Sequence, residues 1–206
     1  MSRLNIPPTK SNILQVSKSL EFAEEGFELL EQKRQILVLE LMSRLERAKR
    51  IQEESDRALA GAFEALKRAQ LASGSASLQQ EAIAVPVESE IRVGGNRVMG
   101  IDLPTVDARP GKLDVRFGIA RTNATSDEVM AGFHRVLELL REMAEIESAV
   151  FRLAMELRKT QRRVNALEKI FLPQYRETVR YIRDTLEERE REEMIIMKMI
   201  KRQRPA

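Results

Sequence analysis

The sequence predicts an all-α protein, a long antiparallel two-helix coiled coil with a small middle insert containing a short β-hairpin. Three observations carry that prediction. Charged residues make up 33% of the 206-residue chain and aromatics only 4%, a composition of long helices rather than of a single globular core. Apolar or small residues recur at steps of three and four over two long stretches, the spacing of a helical stripe. Between those stretches the periodicity vanishes, and six of the nine glycines and three of the seven prolines collect there. The expected organisation is an N-terminal helix over 1–72, an insert over 73–125 and a C-terminal helix over 126–206.

The first helix has its start signal in Thr9 or Ser11, directly after Pro7-Pro8. Its stripe runs Ile13, Val16, Leu20, Ala23, Phe27, Leu30, Leu37, Leu41, Leu45 and Ala48, then weakens toward Ala69. From Thr9 to Ala72 a continuous helix spans roughly 96 Å at 1.5 Å per residue, longer than a compact domain of this size. Ser73-Gly74-Ser75-Ala76-Ser77 reads as its terminator and a flexible entry to the insert. Within the insert, Glu90–Val93 and Arg97–Leu103 flank Gly94-Gly95-Asn96, which reads as the turn of the hairpin, and Pro110-Gly111 marks a further turn. The last helix starts at Ser126 as N-cap, with Asp127 and Glu128 in its first turn. Pro173 lies inside this helix and predicts a kink near Ile170 to Leu172. Equal-length pairing about the insert sets Gly26 opposite Leu172 and Thr9 opposite Arg189.

Composition also excludes function classes. There is no cysteine and a single histidine, His134, so the chain offers no thiolate metal site, no histidine metal cluster and no Ser-His-Asp triad. His134 itself reads as a partly exposed helix residue. Lys plus Arg number 35 against 32 Asp plus Glu, for a net charge of +3 with the signs interspersed, which argues against nucleic-acid binding. Carboxylates alternate with Arg and Lys at helical spacing and read as a solvated face. No cofactor is expected. The opening residues carry no apolar run of signal-peptide length, and no segment approaches the roughly 18 apolar residues of a membrane span.

Two segments stand apart. Leu186–Glu193 is charge-dense and self-supporting through pairs such as Glu187 and Arg191. Beyond it, Met194, Ile195, Ile196, Met197, Met199 and Ile200 are apolar on more than one helical face, a surplus that a two-helix seam does not use. Methionine suits contacts whose packing changes.

The stretch Thr160-Gln161-Arg162-Arg163-Val164-Asn165-Ala166-Leu167-Glu168, followed by Leu172-Pro173, Tyr181-Ile182 and Leu186–Glu193, resembles the D subunit of the V-type/A-type rotary ATPases. Pro8-Thr9-Lys10, Gly26, Leu29-Leu30 and Lys33-Arg34 in the first helix are similar to the same family. The resemblance implies a non-catalytic central rotor shaft that couples ATP hydrolysis or synthesis to ion translocation. The partners it implies are the catalytic A and B subunits, the stalk F subunit, and a funnel-like subunit leading to the membrane rotor ring. It further implies a cytoplasmic location, peripheral to the membrane. Composition and periodicity alone leave a static coiled-coil tether or scaffold equally open.

On the residues themselves, Leu30, Leu37, Leu41, Val164, Leu167 and Phe171 are the expected seam. Asn165 beside it is placed to fix register. Arg162, Arg163 and Glu168 lie off the seam, as a surface ion-pair ladder or as direct partner contacts. Met194, Ile195, Ile196, Met197, Met199 and Ile200 are the expected apolar contact of the shaft tip.

Overall fold

The structure is a computed structural model and describes residues 3–85, 89–110 and 124–203. Its elements are helix α1 (Lys10–Ser73), helix α2 (Ser75–Ala84), strands β1 (Ser89–Val98) and β2 (Ile101–Pro110), helix α3 (Ala124–Ala166), a π-helical turn (Leu167–Phe171) and helix α4 (Leu172–Gln203). The all-α class with a two-stranded antiparallel hairpin in the middle is as the composition and periodicity predict. The chain divides into two compact units, one of residues 1–36 with 157–206, the other of residues 37–156.

In the first unit, the start of α1 runs antiparallel to α4. Thr9 Oγ1 accepts a hydrogen bond from the Asn12 N–H (3.2 Å), capping α1 as its side-chain chemistry predicts. Lys10 pairs with Glu190 (2.8 Å) and Glu24 with Arg176 (2.7 Å), while Arg34 donates to Gln161 (3.2 Å). The core is Val16 against Val179 and Ile182, with Ile13, Leu20, Tyr175 and Leu186 packed around it. The residues ahead of α1 lie along α4: the Leu4 N–H donates to Thr178 Oγ1 (3.0 Å), and the Arg3 guanidinium stands 3.7 Å over the Tyr181 ring.

The buried positions in this unit record how Pro173 is absorbed. Thr160, Val164, Leu172, Val179 and Ile182 are buried, with Leu167, Tyr175 and Leu186 half-buried. The stripe proceeds by threes and fours up to Leu167, jumps five to Leu172, then resumes. The π-turn supplies the extra residue immediately before Pro173, which cannot donate a helical hydrogen bond and crowds the preceding turn. Phe171, expected in the seam, is therefore rotated off it and is 44% exposed. Leu172 takes the seam position instead.

In the second unit, the remainder of α1 packs antiparallel on α3. Glu54 pairs with Arg135 (2.8 Å) and Arg68 with Glu128 (3.4 Å), and Arg47 pairs with Glu142. Ile51, Ala62, Ala65 and Ala69 are buried on α1, as are Val136, Leu139, Ile146, Ala149 and Leu153 on α3. Phe63 and Phe133 meet edge to face with centroids 5.7 Å apart. The alanines let the helices approach closely: a Cβ on Gly132 would stand 3.3 Å from both Cα and Cβ of Ala62. Gly132→Leu is expected to force the helices apart and cost about 1–3 kcal/mol. Gly61→Ala, at a position with open space around it, is expected to stabilise by about 0.5–1 kcal/mol. Thermal melts of the two variants check both signs.

Three local expectations are corrected. The segment after Ser73 is helix, not a flexible entry: Gly74, at φ 78°, interrupts the chain for one residue and α2 begins at once. Ser126 is not an N-cap, because α3 starts at Ala124; Ser126 is buried, and its hydroxyl has no partner among the described residues. The hairpin turn is not at Gly94-Gly95-Asn96, which lie within β1 opposite Thr105, Pro104 and Leu103. It is at Met99-Gly100, whose φ values of 52° and 79° suit the left-handed two-residue turn that matches strand twist. Gly94 has another use: a Cβ there would meet Thr105 Oγ1 at 2.8 Å, so its lack of a side chain admits the cross-strand threonine. Of the Pro110-Gly111 turn, Gly111 lies outside the described residues.

Candidate functional site

The α4 end carries a continuous run of exposed apolar side chains. Among the described residues, its last hydrogen-bonded ties across to α1 and the preceding segment are Lys10 with Glu190 (2.8 Å) and Arg189 Nη1 donating to Pro8 O (3.3 Å). The Glu190 carboxyl is held below its ordinary pKa by the hydrogen bond from Lys10, and the Lys10 amine is raised by the same contact. Next along the helix, Arg191 lies 3.9 Å from Glu187 and 3.8 Å from Glu188, within α4 itself. Then come Met194, Ile195, Ile196, Met197, Met199 and Ile200, each between 54% and 62% exposed. At 100° per residue these six surround the helix axis, with only Lys198 among them polar. A helix that is apolar all round belongs inside something larger. Among the described residues, no helix is long and apolar enough to cross a membrane.

Higher in the same unit, a polar chain ties α1 to α3. Arg34 grips Glu31 through both carboxylate oxygens and donates to Gln161, which donates to Asn165 Oδ1 (2.9 Å). The Arg34 guanidinium holds the Glu31 carboxyl below its ordinary range. Asn165, half-buried, thus ends a polar chain that begins on the neighbouring helix. Arg162 and Arg163 are exposed, and among the described residues neither has an ion pair. Glu168 is exposed; the Arg34 guanidinium is raised above its ordinary pKa first by its hydrogen bond to Glu31, with the Glu168 charge a smaller contribution.

Of the expected seam residues, Leu37 is fully buried and Val164 nearly so, whereas Leu30, Leu41 and Leu167 are half-buried. Leu30, Leu167 and Phe171 line an open groove of about 670 Å³ with Phe22, Gly26 and Tyr175. The Gly26 Cα faces open space there. Gly26 and the π-turn residues Leu167 and Phe171 line the same groove. The expected seam leaves out Thr178 and Ile182, both fully buried, because it ends at Phe171 and a threonine carries no apolar signal.

In the second unit the hairpin turn is clasped by Arg97 and Asp102 (2.9 Å), and Asp102 is held below its ordinary pKa by that hydrogen bond. Leu103 is buried, whereas Ile91 and Val93 are 65% and 71% exposed. His134 is half-buried, 4.0 Å from Glu138. Among the described residues there is no group of three His, Cys, Asp or Glu placed to hold a metal ion.

Antiparallel helix pairing in each unit, a hairpin held to α3 and an exposed apolar helix end are the surfaces the chain presents. The chain belongs to the ATP synthase D subunit family, which matches residues 12–202. It is 36% identical over 198 residues to the V-type ATP synthase D subunit of Thermotoga neapolitana, covering 96% of this chain and 98% of that one. It is 38% identical to the V-type ATP synthase D 2 subunit of Treponema pallidum, over 95% of this chain and 94% of that one. It is 34% identical to the A-type ATP synthase D subunit of Thermococcus sibiricus, over 96% and 94% respectively.

Proposed function

We propose that the chain is the non-catalytic central rotor shaft of a V-type/A-type ATPase, joining ATP hydrolysis or synthesis in a ring of A and B subunits to ion translocation through a membrane rotor. The stalk F subunit and a funnel-like subunit complete its partners, and it works on the cytoplasmic side, peripheral to the membrane. One observation carries the reading: the end of α4 is apolar on every side and exposed. A single partner helix covers one stripe of such a segment, whereas a protein ring covers all of it.

The mechanism rests on asymmetry. Two unlike helices lack threefold symmetry, so each catalytic interface of a surrounding threefold ring meets a different face of the shaft. Different contacts favour different open or closed states of each nucleotide site, and rotation passes that bias onward. Methionine and isoleucine at the tip give contacts without strong directional bonds, so turning does not require such bonds to break. Upstream, Arg162, Arg163 and Glu168 offer charged contacts to the ring.

The test is reconstitution of the catalytic ring with and without this chain. A shaft is recovered with the ring and a small stalk partner, and ATP-driven ion transport depends on it. Full transport without it, or recovery with neither partner, leaves the static tether as the better reading.

A further inference from the structure

One stretch of α3 in the first unit carries charge of a single sign. From Leu157 to Leu167 there are four cations, Arg158, Lys159, Arg162 and Arg163, and no carboxylate. All four are exposed, and among the described residues none has an ion pair or a side-chain hydrogen bond. Thr160 and Val164, 2% and 4% exposed, mark the inward side of this part of the helix. At roughly 100° per residue, Arg162 lies directly opposite that side, with Arg158 on one flank and Lys159 and Arg163 on the other. The outside of α3 is therefore a cationic face at this height.

Nothing within the unit compensates this face. Arg158 with Arg162 and Lys159 with Arg163 are like charges at i,i+4, a spacing at which they repel and weaken the helix. Across the pair, Glu31 of α1 is taken up by Arg34, which also reaches Gln161 beside these cations. Along α4 the outer charges are matched instead: Arg180 lies 4.0 Å from Asp184 and Arg191 lies 3.8 Å from Glu188. Two repulsive pairs on one outward face do nothing for the coiled coil itself, so their use lies outside it.

We propose that Arg158, Lys159, Arg162 and Arg163 form a bearing face that engages a carboxylate-bearing surface of the catalytic ring. The inference rests on the rotor-shaft reading, which supplies the ring, and adds the chemistry of the ring wall at this height. The face belongs to the same unit as the apolar α4 end and lies about 55 Å from Ile200 along the helix at 1.5 Å per residue. Charge selects the partner, because uncompensated cations are complemented by carboxylates. Shape selects a protein wall over a small anion. The four side chains fan outward over roughly 140° of a convex helix, whereas a phosphate group is held by donors that converge on it. Ion pairs at such a face are solvated and screened, so they exchange from one ring position to the next as the shaft turns. The apolar tip differs in kind, since salt does not weaken apolar contacts.

The experiment measures docking of the full chain into the purified catalytic ring as a function of salt. Wild-type affinity is expected to fall at least about tenfold as ionic strength rises from about 0.05 to 0.5 M. A variant carrying Arg158→Gln, Lys159→Gln, Arg162→Gln and Arg163→Gln keeps a good helix former at each position and is expected to melt no lower than the wild type. Its docking at low salt is expected to be at least about tenfold weaker, with a clearly shallower salt response. The charge-conserving variant Arg158→Lys, Arg162→Lys and Arg163→Lys is expected to keep the wild-type affinity and salt response. Docking of the wild type that ignores salt, or a glutamine variant that docks as the wild type does, overturns the bearing face and leaves the shaft reading standing. A lysine variant that fails as the glutamine variant does overturns charge as the selecting feature. Binding of the free chain to anionic lipid vesicles that is lost in the glutamine variant, with ring docking unchanged, overturns the proposal in favour of a membrane surface. A chain that docks in the ring at no salt concentration overturns the functional reading, and the bearing face with it.

Discussion

Ile182→Asp is expected to destabilise the first unit by about 3–5 kcal/mol, whereas Phe171→Asp in the same stretch of helix is expected to cost about 1 kcal/mol or less. Ile182 is fully buried in an apolar cluster with Val16 and Val179. Removing the side chain forfeits its burial, and the new carboxyl is desolvated without a partner. Phe171 stands on the open groove, 44% exposed, where an added charge keeps its water. The contrast tests the extra residue of the π-turn, since an uninterrupted heptad reading puts Phe171 in the seam. Leu37→Asp, at another fully buried position, is expected to match Ile182→Asp. For a chain of this size each kcal/mol moves the melting temperature by about 2–4 °C, so the large effects appear as shifts of roughly 10 °C. The pH dependence has a definite sign. Burial raises the pKa of the introduced carboxyl above its unfolded value of about 3.9, so the penalty is full at neutral pH and shrinks as the pH falls through the raised value. Equal melting losses for Ile182→Asp and Phe171→Asp would show that the seam is misphased.

Local pattern makes some parts of the fold readable and leaves others hidden. Long apolar stripes reveal α1 and the α3–α4 stretch, and the start signal at Thr9 and the break after Ser73 mark the ends of α1, because a helix of many turns averages over individual positions. The hairpin is readable as a pair of β-rich runs, but its turn is not. Gly94-Gly95-Asn96 has the composition of a turn and a different task, admitting Thr105 across the strands. Met99-Gly100 has the less telling composition and takes the positive φ values. The α2 helix is hidden because its serines and Gly74 look like loop, although one glycine interrupts a helix without dissolving the next one. The π-turn is hidden in one respect only. The run Leu172, Tyr175, Val179, Ile182, Leu186 alternates threes and fours, and the next step back lands on Glu168, one residue out of phase with Leu167 of the earlier stripe. At the α4 end, the apolar surplus is legible as residues without a seam to enter. The surfaces those residues touch are not legible, since they lie outside the chain.

Deleting residues 194–206 is expected to leave the paired helices folded and to abolish productive docking in the catalytic ring. Among the described residues, the last hydrogen-bonded ties between α4 and the N-terminal region are at Arg189 and Glu190, upstream of the cut, so the stability of the paired helices is expected to change by no more than about 0.5 kcal/mol. The deletion removes six apolar side chains that are each more than half exposed in the free chain. Completing the burial of one such side chain is worth about 1 kcal/mol at 25 cal/mol per Å². Only part of six such terms survives the ordering and association costs of binding. A net loss of about 3 kcal/mol corresponds to roughly a 100-fold weaker ring affinity. Retention of the small stalk partner, whose contact we place near the insert, is expected to be unaffected. Ring affinity, ATPase rate and ion transport measured together separate the outcomes. Weakened docking with lowered transport per ATP fits a tip that seats in the ring and transmits its rotation. Unchanged affinity and coupling would mean that the girdle from Met194 to Ile200 is covered by something other than the ring, and the shaft reading would lose the observation that carries it.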